Sequence, residues 1–328
     1  MRYGILAERF HMITVSNSSF DPFYNQALEE YLFQNVSDDV FYLWQNDPAV
    51  IVGSYQNICR EVHAARLRKL GIPVIRRISG GGTVYHDRGN INYTLILHCD
   101  RRPEYDEVLK PIIQALCDIG VPAHKSNICD IAIDAQKISG SAQRAEGGKL
   151  LHHGTLLFQS DLSVLNHITT HRKNDSFHSK GTESSICTVT NILDHLREPM
   201  TIDAFKAALS DRVLADYPAP ARTMTLAADE KTEIQRLADE KYRSWDWTWG
   251  RTPFFSYEKE GLFLGEPIRI AYQAKHGIIS DAHLSCKKLD CTRGEQLLNG
   301  SRLDPDGFAA ICSALTGEEP DALMDLML

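Results

Sequence analysis

The sequence predicts an α+β protein: a large mixed β-sheet domain flanked by helices, followed by a small α+β domain. Three observations carry that expectation. Between Ile128 and Phe158 three strand-like runs follow one another through short polar turns with no helix between them, so the chain does not wind in repeated βαβ units. Capped helical patterns lie on both sides of these runs. The cluster Trp245-Asp246-Trp247-Thr248-Trp249-Gly250 then reads as a joint, its indoles acting as hydrophobic anchors, and short strands and helices follow it. The expected domains are residues 1–245 and 246–328.

Taken in order, Asp21-Pro22 starts a helix, with aspartate as N-cap and proline at the first helical position, where its missing N–H costs nothing. Ala27, Leu28, Tyr31 and Leu32 share one face, and the helix ends near Val36. Residues 40–45 and 49–55, separated by Asn46-Asp47-Pro48, read as an antiparallel hairpin. A helix over 61–70, closed by Gly71, leads into a strand over 73–78. Residues 90–98 alternate as a strand, with Ile91, Tyr93, Leu95 and Leu97 on one side and Asn92, Thr94 and Ile96 on the other. A helix over 105–119 contains Pro111 and stops at Gly120.

Strands over 131–134, 137–142 and 150–158 follow, joined by Asp134-Ala135-Gln136 and Glu146-Gly147-Gly148. A short helix over 161–168 opens a long loop, 169–190, of the kind that often serves as a lid. Thr201 caps a helix to about Tyr217, broken by Pro218 and Pro220, and a charged helix spans 229–241. The second unit has strands over 254–257, 262–264, 268–274 and 278–284, and helices over 294–298, 306–315 and 321–327.

Composition narrows the function. Hydrophobic residues are 43% and charged residues 24% of 328, ordinary for a soluble globular chain with a sizeable core. A formal net charge of -8 argues against nucleic-acid binding by bulk electrostatics, and leaves a small anion as the ligand of any local basic pocket. Eight cysteines without a Cys-x-x-Cys pair read as reduced thiols. No run approaches the roughly 18 apolar residues that span a bilayer, and residues 1–15 lack the apolar core and cleavage site of a leader. The expectation is a cytoplasmic monomer that binds neither nucleic acid nor membrane.

The chemistry centres on Arg76-Arg77-Ile78-Ser79-Gly80-Gly81-Gly82-Thr83-Val84-Tyr85-His86-Asp87. Three glycines let a backbone take positive φ and offer N–H groups at close range, while the arginines supply forked donors for phosphate or carboxylate. The spacing is neither a Walker loop nor a dinucleotide fingerprint. A merely flexible turn is the plain alternative. A second constellation comprises Asp130, Lys137-Ile138-Ser139-Gly140-Ser141-Ala142 and His152-His153-Gly154-Thr155. Alternation puts Lys137, Ser139 and Ser141 on one polar face, where Gly140 leaves room for a ligand beside the ammonium. A surface lysine on a hairpin is the alternative. Asp130 could hold magnesium or simply close a turn. His86, His152 and His153 lack a zinc spacing and read as polar packing. Cys129, near Lys137, is a candidate nucleophile with no activating partner visible in the sequence.

These motifs resemble the lipoate–protein ligase family of the biotin/lipoate ligase superfamily. The match covers the glycine loop with Gly89-Asn90 and Tyr93-Thr94, then Lys137 to Arg144, then His152 to Leu157, in the same order. It extends to Asp21-Pro22, to Asn25-Gln26-Ala27-Leu28-Glu29-Glu30, and to Ser244-Trp245-Asp246-Trp247 with Gly250 and Pro253, which resembles the junction to an accessory C-terminal domain. The resemblance implies activation of lipoate with ATP and Mg²⁺ to lipoyl-AMP, then transfer to a lysine of an acceptor. The implied acceptors are lipoyl domains of 2-oxoacid dehydrogenase acyltransferase subunits and the glycine-cleavage H protein.

By position Lys137 would be the catalytic lysine at the lipoyl carbonyl and α-phosphate. Arg77, Ser79, Gly80, Gly81, Gly82, Thr83, Val84, Tyr85, His86, Gly140, Ala142, Arg144, His153 and Gly154 would line lipoate and ATP, and Asp130 would sit near the metal. Two departures stand out: Cys129 where the family usually has asparagine, and Ile186 and Thr188 where it usually carries basic residues. They keep two rivals in view: a cysteine-dependent, ATP-independent octanoyl or lipoyl transferase, and a non-catalytic lipoate-binding protein. Biotin ligases share the architecture but carry a different arginine pattern.

Overall fold

The computed structural model describes residues 11–168, 176–184, 187–215, 217, 219–317 and 320–327. Its largest sheet has eight strands, in spatial order Arg222–Met224, Met12–Val15, Asp39–Trp44, Asn90–His98, Lys149–Leu157, Gln136–Glu146, Asp130–Ile133 and His124–Lys125. The first two junctions are parallel and the rest antiparallel, the mixed sheet that the sequence predicts. Alternation along Asn90–His98 feeds two cores. Ile91, Tyr93 and Leu95 pack with Val108, Ile112, Phe205 and Leu209 from helices Tyr105–Asp118 and Ile202–Leu214. Ile96 faces the opposite way, towards Leu28, Leu32, Tyr42 and Trp44. Leu28 and Leu32 belong to helix Pro22–Asn35, which starts as expected, with the Asp21 carboxylate accepting from the Phe23 N–H at 3.0 Å.

The expected hairpin over 40–55 does not form. Asp39–Trp44 already has neighbours on both edges, Met12–Val15 and Asn90–His98, so no ladder position is left for the next strand. Ala49–Val52 instead becomes the centre of a three-stranded sheet, parallel to Val74–Arg76 and antiparallel to Val84–His86. Asn46 is buried between them rather than turning tightly: Asn25 Nδ2 donates to its Oδ1 at 2.9 Å, and its Nδ2 lies 3.0 Å from His86 Nδ1. The helix expected over 61–70 also divides, into Ile58–Glu61 and Ala64–Leu70, because Val62 is extended; Gly71 closes the second at φ 65°. Of the long loop expected over 169–190, residues 169–175, 185 and 186 lie outside the described residues.

That small sheet dictates where the glycine loop lies. Val74–Arg76 runs parallel to the central strand and Val84–His86 antiparallel, so the loop between them crosses the C-terminal end of Ala49–Val52. Gly53 stands at that crossing. A Cβ there would collide with the Gly81 carbonyl oxygen, so the close approach requires glycine.

The second unit is a four-stranded antiparallel sheet, Ser176–Ser179, Phe255–Phe263, Glu266–Lys275 and Ile278–Cys286, backed by helices Pro305–Thr316 and Pro320–Met327. The strands expected over 254–257 and 262–264 are one continuous strand. Its core includes Val50, Val52, Ile58 and Leu67 as well as Phe255, Phe308 and Met324, so the small sheet is shared between the two units.

Arg76 is the rivet at this junction. It is fully buried; Nε donates to Thr248 O at 2.9 Å, Nη1 to Gly53 O at 2.9 Å and Gln56 O at 3.0 Å, and Nη2 to Thr252 Oγ1 at 3.3 Å. Trp247 Nε1 donates back to Arg76 O at 2.6 Å. Arg76→Met keeps the length and removes every donor, leaving buried carbonyls unsatisfied. It is expected to lower the unfolding free energy by at least about 3 kcal/mol in urea titration. A loss below about 1 kcal/mol would mean that these bonds contribute little net stability.

Candidate active site

The second arginine of the pair organises the glycine loop. Arg77 is buried, and Nε donates to Ser79 Oγ at 3.0 Å, Nη1 to Ile51 O at 3.2 Å, and Nη2 to Gly80 O at 2.5 Å and Gly82 O at 2.7 Å. The guanidinium expected to grip a ligand anion thus spends its donors on the loop's own carbonyls. Burial lowers its pKa to about 10, so it stays cationic at neutral pH.

This turns the loop inside out. A trans peptide points its C=O and N–H in opposite directions, and all peptides here are trans. With the Gly80 and Gly82 carbonyls drawn onto Arg77, the N–H groups of Gly81 and Thr83 face away from it. The Gly81 carbonyl packs against Gly53, so the Gly82 N–H also turns outward. Gly81 takes φ 86°, and among the described residues no acceptor takes the N–H of Gly80, Gly81 or Gly82. A run of outward amides over a buried cation is an anion-binding nest.

A buried relay bolts the loop to the large sheet. Ser79 Oγ lies 2.6 Å from His153 Nε2, and His153 Nδ1 lies 2.7 Å from Glu29 Oε2. The other Glu29 oxygen accepts from Thr94 Oγ1 at 2.7 Å, and Thr94 Oγ1 accepts from Trp44 Nε1 at 2.9 Å. Glu29 is fully buried. Arg144 adds a tie, its Nη1 donating to Ile78 O at 3.0 Å, and the Ala142 methyl lies under Gly81.

Lys137 reaches this face by a route that alternation does not give. Ile131 pairs with Ser139 but Ala132 pairs with Lys137, so the strand carries one extra residue, a bulge that turns Lys137 away from Ser139 and Ser141. The ammonium falls beside Gly140 and Asp130 instead. Nζ is 2.8 Å from Asp130 Oδ1, and Asn127 Nδ2 donates to Asp130 Oδ2 at 3.2 Å. A Cβ at Gly140 would sit 2.9 Å from Nζ, so glycine is what lets the lysine lie across the strand. The Lys137 backbone pairs with the end of the long loop, donating to Thr188 O at 2.8 Å and accepting from Thr190 N at 3.1 Å. Thr188 therefore contributes through its main chain, while Ile186 lies outside the described residues.

The structure thus brings Ser79 to Thr83, Arg77, Ala142, Arg144 and His153 together around the loop, with Lys137, Gly140 and Asp130 alongside. His86 is buried at the Asn46 contact. Val84 packs under the helix Pro22–Asn35, and Tyr85 packs into the core shared with the second unit. Gly154 lies on the opposite face of the large sheet, where its missing side chain admits the Tyr93 ring. The residues that sequence reasoning missed are Glu29, Gly53, Gln56, Glu61 and Ser184. Two carboxylates, an amide, a glycine and a serine are visible in the sequence, but what marks them is contact with residues far away along the chain, as between Glu29 and His153, Gln56 and Ser184, and Glu61 and Ser184.

The thiol is poorly placed for nucleophilic work. Burial pushes Cys129 up, and the Asp130 carboxylate beside it pushes the same way. A thiol held protonated at neutral pH is a weak nucleophile. Among the described residues no group of three His, Cys, Asp or Glu side chains could hold a metal by itself.

Gly140→Ala displaces only the flexible end of Lys137, so thermal stability should stay within about 2 °C of wild type while turnover falls at least about tenfold. Unchanged turnover would remove Lys137 from the site. His86 and His152 are pushed down to about 3, mainly by burial, with Arg77 and His153 adding for His86 and His153 for His152. Both are neutral when folded, whereas the unfolded chain binds protons below about pH 6.5. Stability is therefore full above that pH and falls as acid is added, by about 1.4 kcal/mol per pH unit for each histidine down to about pH 3. His152→Gln should flatten the slope of unfolding free energy against pH by one such increment.

Comparison with known proteins gives the family of the chain. The family profile for the lipoyl protein ligase A/B catalytic domain matches residues 21–214. Lipoate–protein ligase 1 of Staphylococcus aureus is 34% identical over 275 residues, 82% of this chain and 82% of its own length. Lipoate-protein ligase LplJ of Bacillus subtilis is 33% identical over 281 residues, 83% and 84% of the two chains. Among solved structures, P. falciparum LipL1 in complex with lipoate superposes with a TM-score of 0.62 at 21% identity, covering 96% of this chain and 97% of that one. Lipoate-protein ligase A bound with ATP gives 0.61 at 22% identity over 73% and 97%. The bipartite lipoate protein ligase of Thermoplasma acidophilum, described with its E2 lipoyl domain, gives 0.63 at 21% over 73% and 96%. The structures at this identity share the fold; the profile and the curated relatives carry the assignment. The chain belongs to the lipoyl protein ligase A/B family.

Proposed function

We propose that the chain is an ATP-dependent lipoate–protein ligase, with residues 1–245 carrying the chemistry and 246–328 forming an accessory part. The observation that carries this reading is the pair of outward amides of Gly81 and Gly82 over buried Arg77, with the Lys137 ammonium on the neighbouring strand. Ala142, which underlies Gly81, is two residues from Gly140 beside Lys137, a separation of about 7 Å along a strand. Two sources of positive potential thus flank one space.

Such a space suits acyl-adenylate chemistry. In the first half-reaction a lipoate carboxylate oxygen bonds to the α-phosphorus of ATP as the bond to the departing pyrophosphate breaks. In the second, the neutral amine of an acceptor lysine bonds to the acyl carbon, AMP leaves with the bridging oxygen, and the amine proton is released. Both steps concentrate negative charge on phosphoryl and carbonyl oxygens, and donors already fixed in place stabilise it without reorganising. Lys137 is the catalytic residue, and Ser79 to Thr83, Ala142, Arg144 and His153 border the bound acyl nucleotide. Arg77 acts from beneath the loop. Asp130, with one oxygen on Lys137 and the other beside Asn127, is the carboxylate that would hold magnesium together with nucleotide phosphates. Bound there, the ion would offset phosphate charge.

The acceptors in this reading are lipoyl domains of 2-oxoacid dehydrogenase acyltransferase subunits and the glycine-cleavage H protein, met by a monomer in the cytoplasm. No helix among the described residues is long and apolar enough to cross a membrane. The lipoate–protein ligase names of the two curated relatives support the reaction class.

Mass spectrometry of a purified lipoyl domain after incubation with enzyme, lipoate, ATP and Mg²⁺ should show one lipoyl addition. Lys137→Ala should lower kcat/KM at least about 100-fold. Cys129→Ser should retain at least half the activity. Absence of lipoate-dependent ATP–pyrophosphate exchange, together with loss of acyl transfer in Cys129→Ser, would overturn the ligase in favour of a thiol-dependent transferase.

A further inference from the structure

The hydrogen bonds at the far end of the amide run give a role to a residue outside both motifs. We propose that Glu61 is a positioning residue: it sets the direction of the Ser184 hydroxyl and through it holds the Thr83 peptide, which closes the anion nest. This rests on the reading of the loop as the adenylate site.

The polarity of the network is forced. Thr83 N–H donates to Ser184 Oγ at 2.8 Å, and Gln56 Nε2 donates to it at 3.0 Å. Gln56 cannot be the other way round, because its Oε1 accepts from Gly53 N–H at 2.8 Å. Neither of these partners of Ser184 accepts, so both hydroxyl lone pairs are used and its one proton must go elsewhere. It goes to Glu61 Oε2. Thr83 Oγ1 in turn donates to Gln56 Oε1 at 2.9 Å, with Glu61 Oε2 at 3.4 Å. Glu61 is 5% exposed, so water does not offer a ready substitute. Without an acceptor at Glu61 the Ser184 hydroxyl turns to find one, and Thr83 loses its fixed partner.

The segment carrying Ser184 is docked by neighbouring contacts as well. Glu183 pairs with Arg60 at 2.7 Å, and Thr182 N–H donates to Tyr55 O at 3.2 Å. A few residues further on, Thr188 and Thr190 pair with the Lys137 backbone. The same stretch of chain thus touches the glycine loop at Thr83 and the lysine strand at Lys137. Glu61 fastens the first of those contacts.

The test uses the full chain and four variants. Ser184→Ala, which removes the hydroxyl, and Glu61→Met, which removes its acceptor, should each raise the KM for ATP in ATP–pyrophosphate exchange at least fivefold with kcat within twofold. Ser184→Thr and Glu61→Gln, which keep the hydroxyl and an acceptor oxygen, should leave KM within twofold of wild type, a rescue that a merely volumetric role would not show. Independently of activity, hydrogen exchange of the Thr83 amide, followed by NMR, should be at least tenfold faster in Ser184→Ala and near wild type in Ser184→Thr. A Thr83 amide that exchanges no faster in Ser184→Ala or Glu61→Met, or a KM that stays within twofold in either, overturns the proposal. A wild-type chain with no ATP–pyrophosphate exchange overturns the ligase reading instead, and the amide measurement still decides the role of the latch.

Discussion

The guanidinium of Arg77 bound to the carbonyls of Gly80 and Gly82 is the constraint on which the site depends. Three glycines in a row have no intrinsic reason to point their amides one way, and the entropy of such a stretch favours disorder. A planar cation with several donors resolves this by collecting the carbonyls on one side. The N–H groups then have to face the other. Lysine could not do the same, because an ammonium on a flexible stem does not present a rigid fork to two carbonyls and a hydroxyl at once. The buried charge itself needs support, and it comes from Glu29, three hydrogen bonds away through Ser79 and His153. That arrangement stabilises a cation inside the protein without placing a carboxylate against the ligand, where it would repel phosphate.

Strand order makes this possible. Because the small sheet is parallel on one side and antiparallel on the other, the loop must pass over the end of its central strand, and Gly53 lets it pass closely. Helix Pro22–Asn35 lies between that sheet and the large one, so Glu29 can reach His153 on the large sheet while its neighbours Leu28 and Leu32 fill the core. Arg76 carries the opposite assignment, fixing the same strand to the Trp247 joint. Adjacent arginines on one strand point to opposite faces, and here they serve opposite partners.

Much of this was legible in the sequence, and the failures have definite causes. The Asp21 cap, the Gly71 stop and the alternation of residues 90–98 are local signals, and each is realised. The glycine loop and Lys137 were recognised as residues, but their geometry was not. Period-2 reasoning placed Lys137 with Ser139 because a bulge leaves no mark in residue types; only the pairing with Asp130–Ile133 reveals it. The arginines looked like ligand donors because a sequence does not show that Ile51, Gly53, Thr248 and Thr252 stand nearby to take their hydrogen bonds. The hairpin over 40–55 failed because turn chemistry is local and strand partnership is not.

The same logic explains why the site is built from main chain more than from side chains. Amides at Gly80 to Gly82 have no rotamers to lose and no pKa to drift, so their field is set when the fold is set. Arg77, Ser79, His153 and Glu29 beneath them are buried, with their polar atoms committed to one another and to the loop. Lys137 is the exception. Its side chain is 24% exposed and its ammonium pairs with Asp130, a protein partner that it can exchange for a phosphate. Rigid donors on one side and a movable ammonium on the other suit the proposed two-step transfer. In that reading the first would hold an acyl nucleotide between steps, and the second would follow charge from phosphorus to carbonyl carbon.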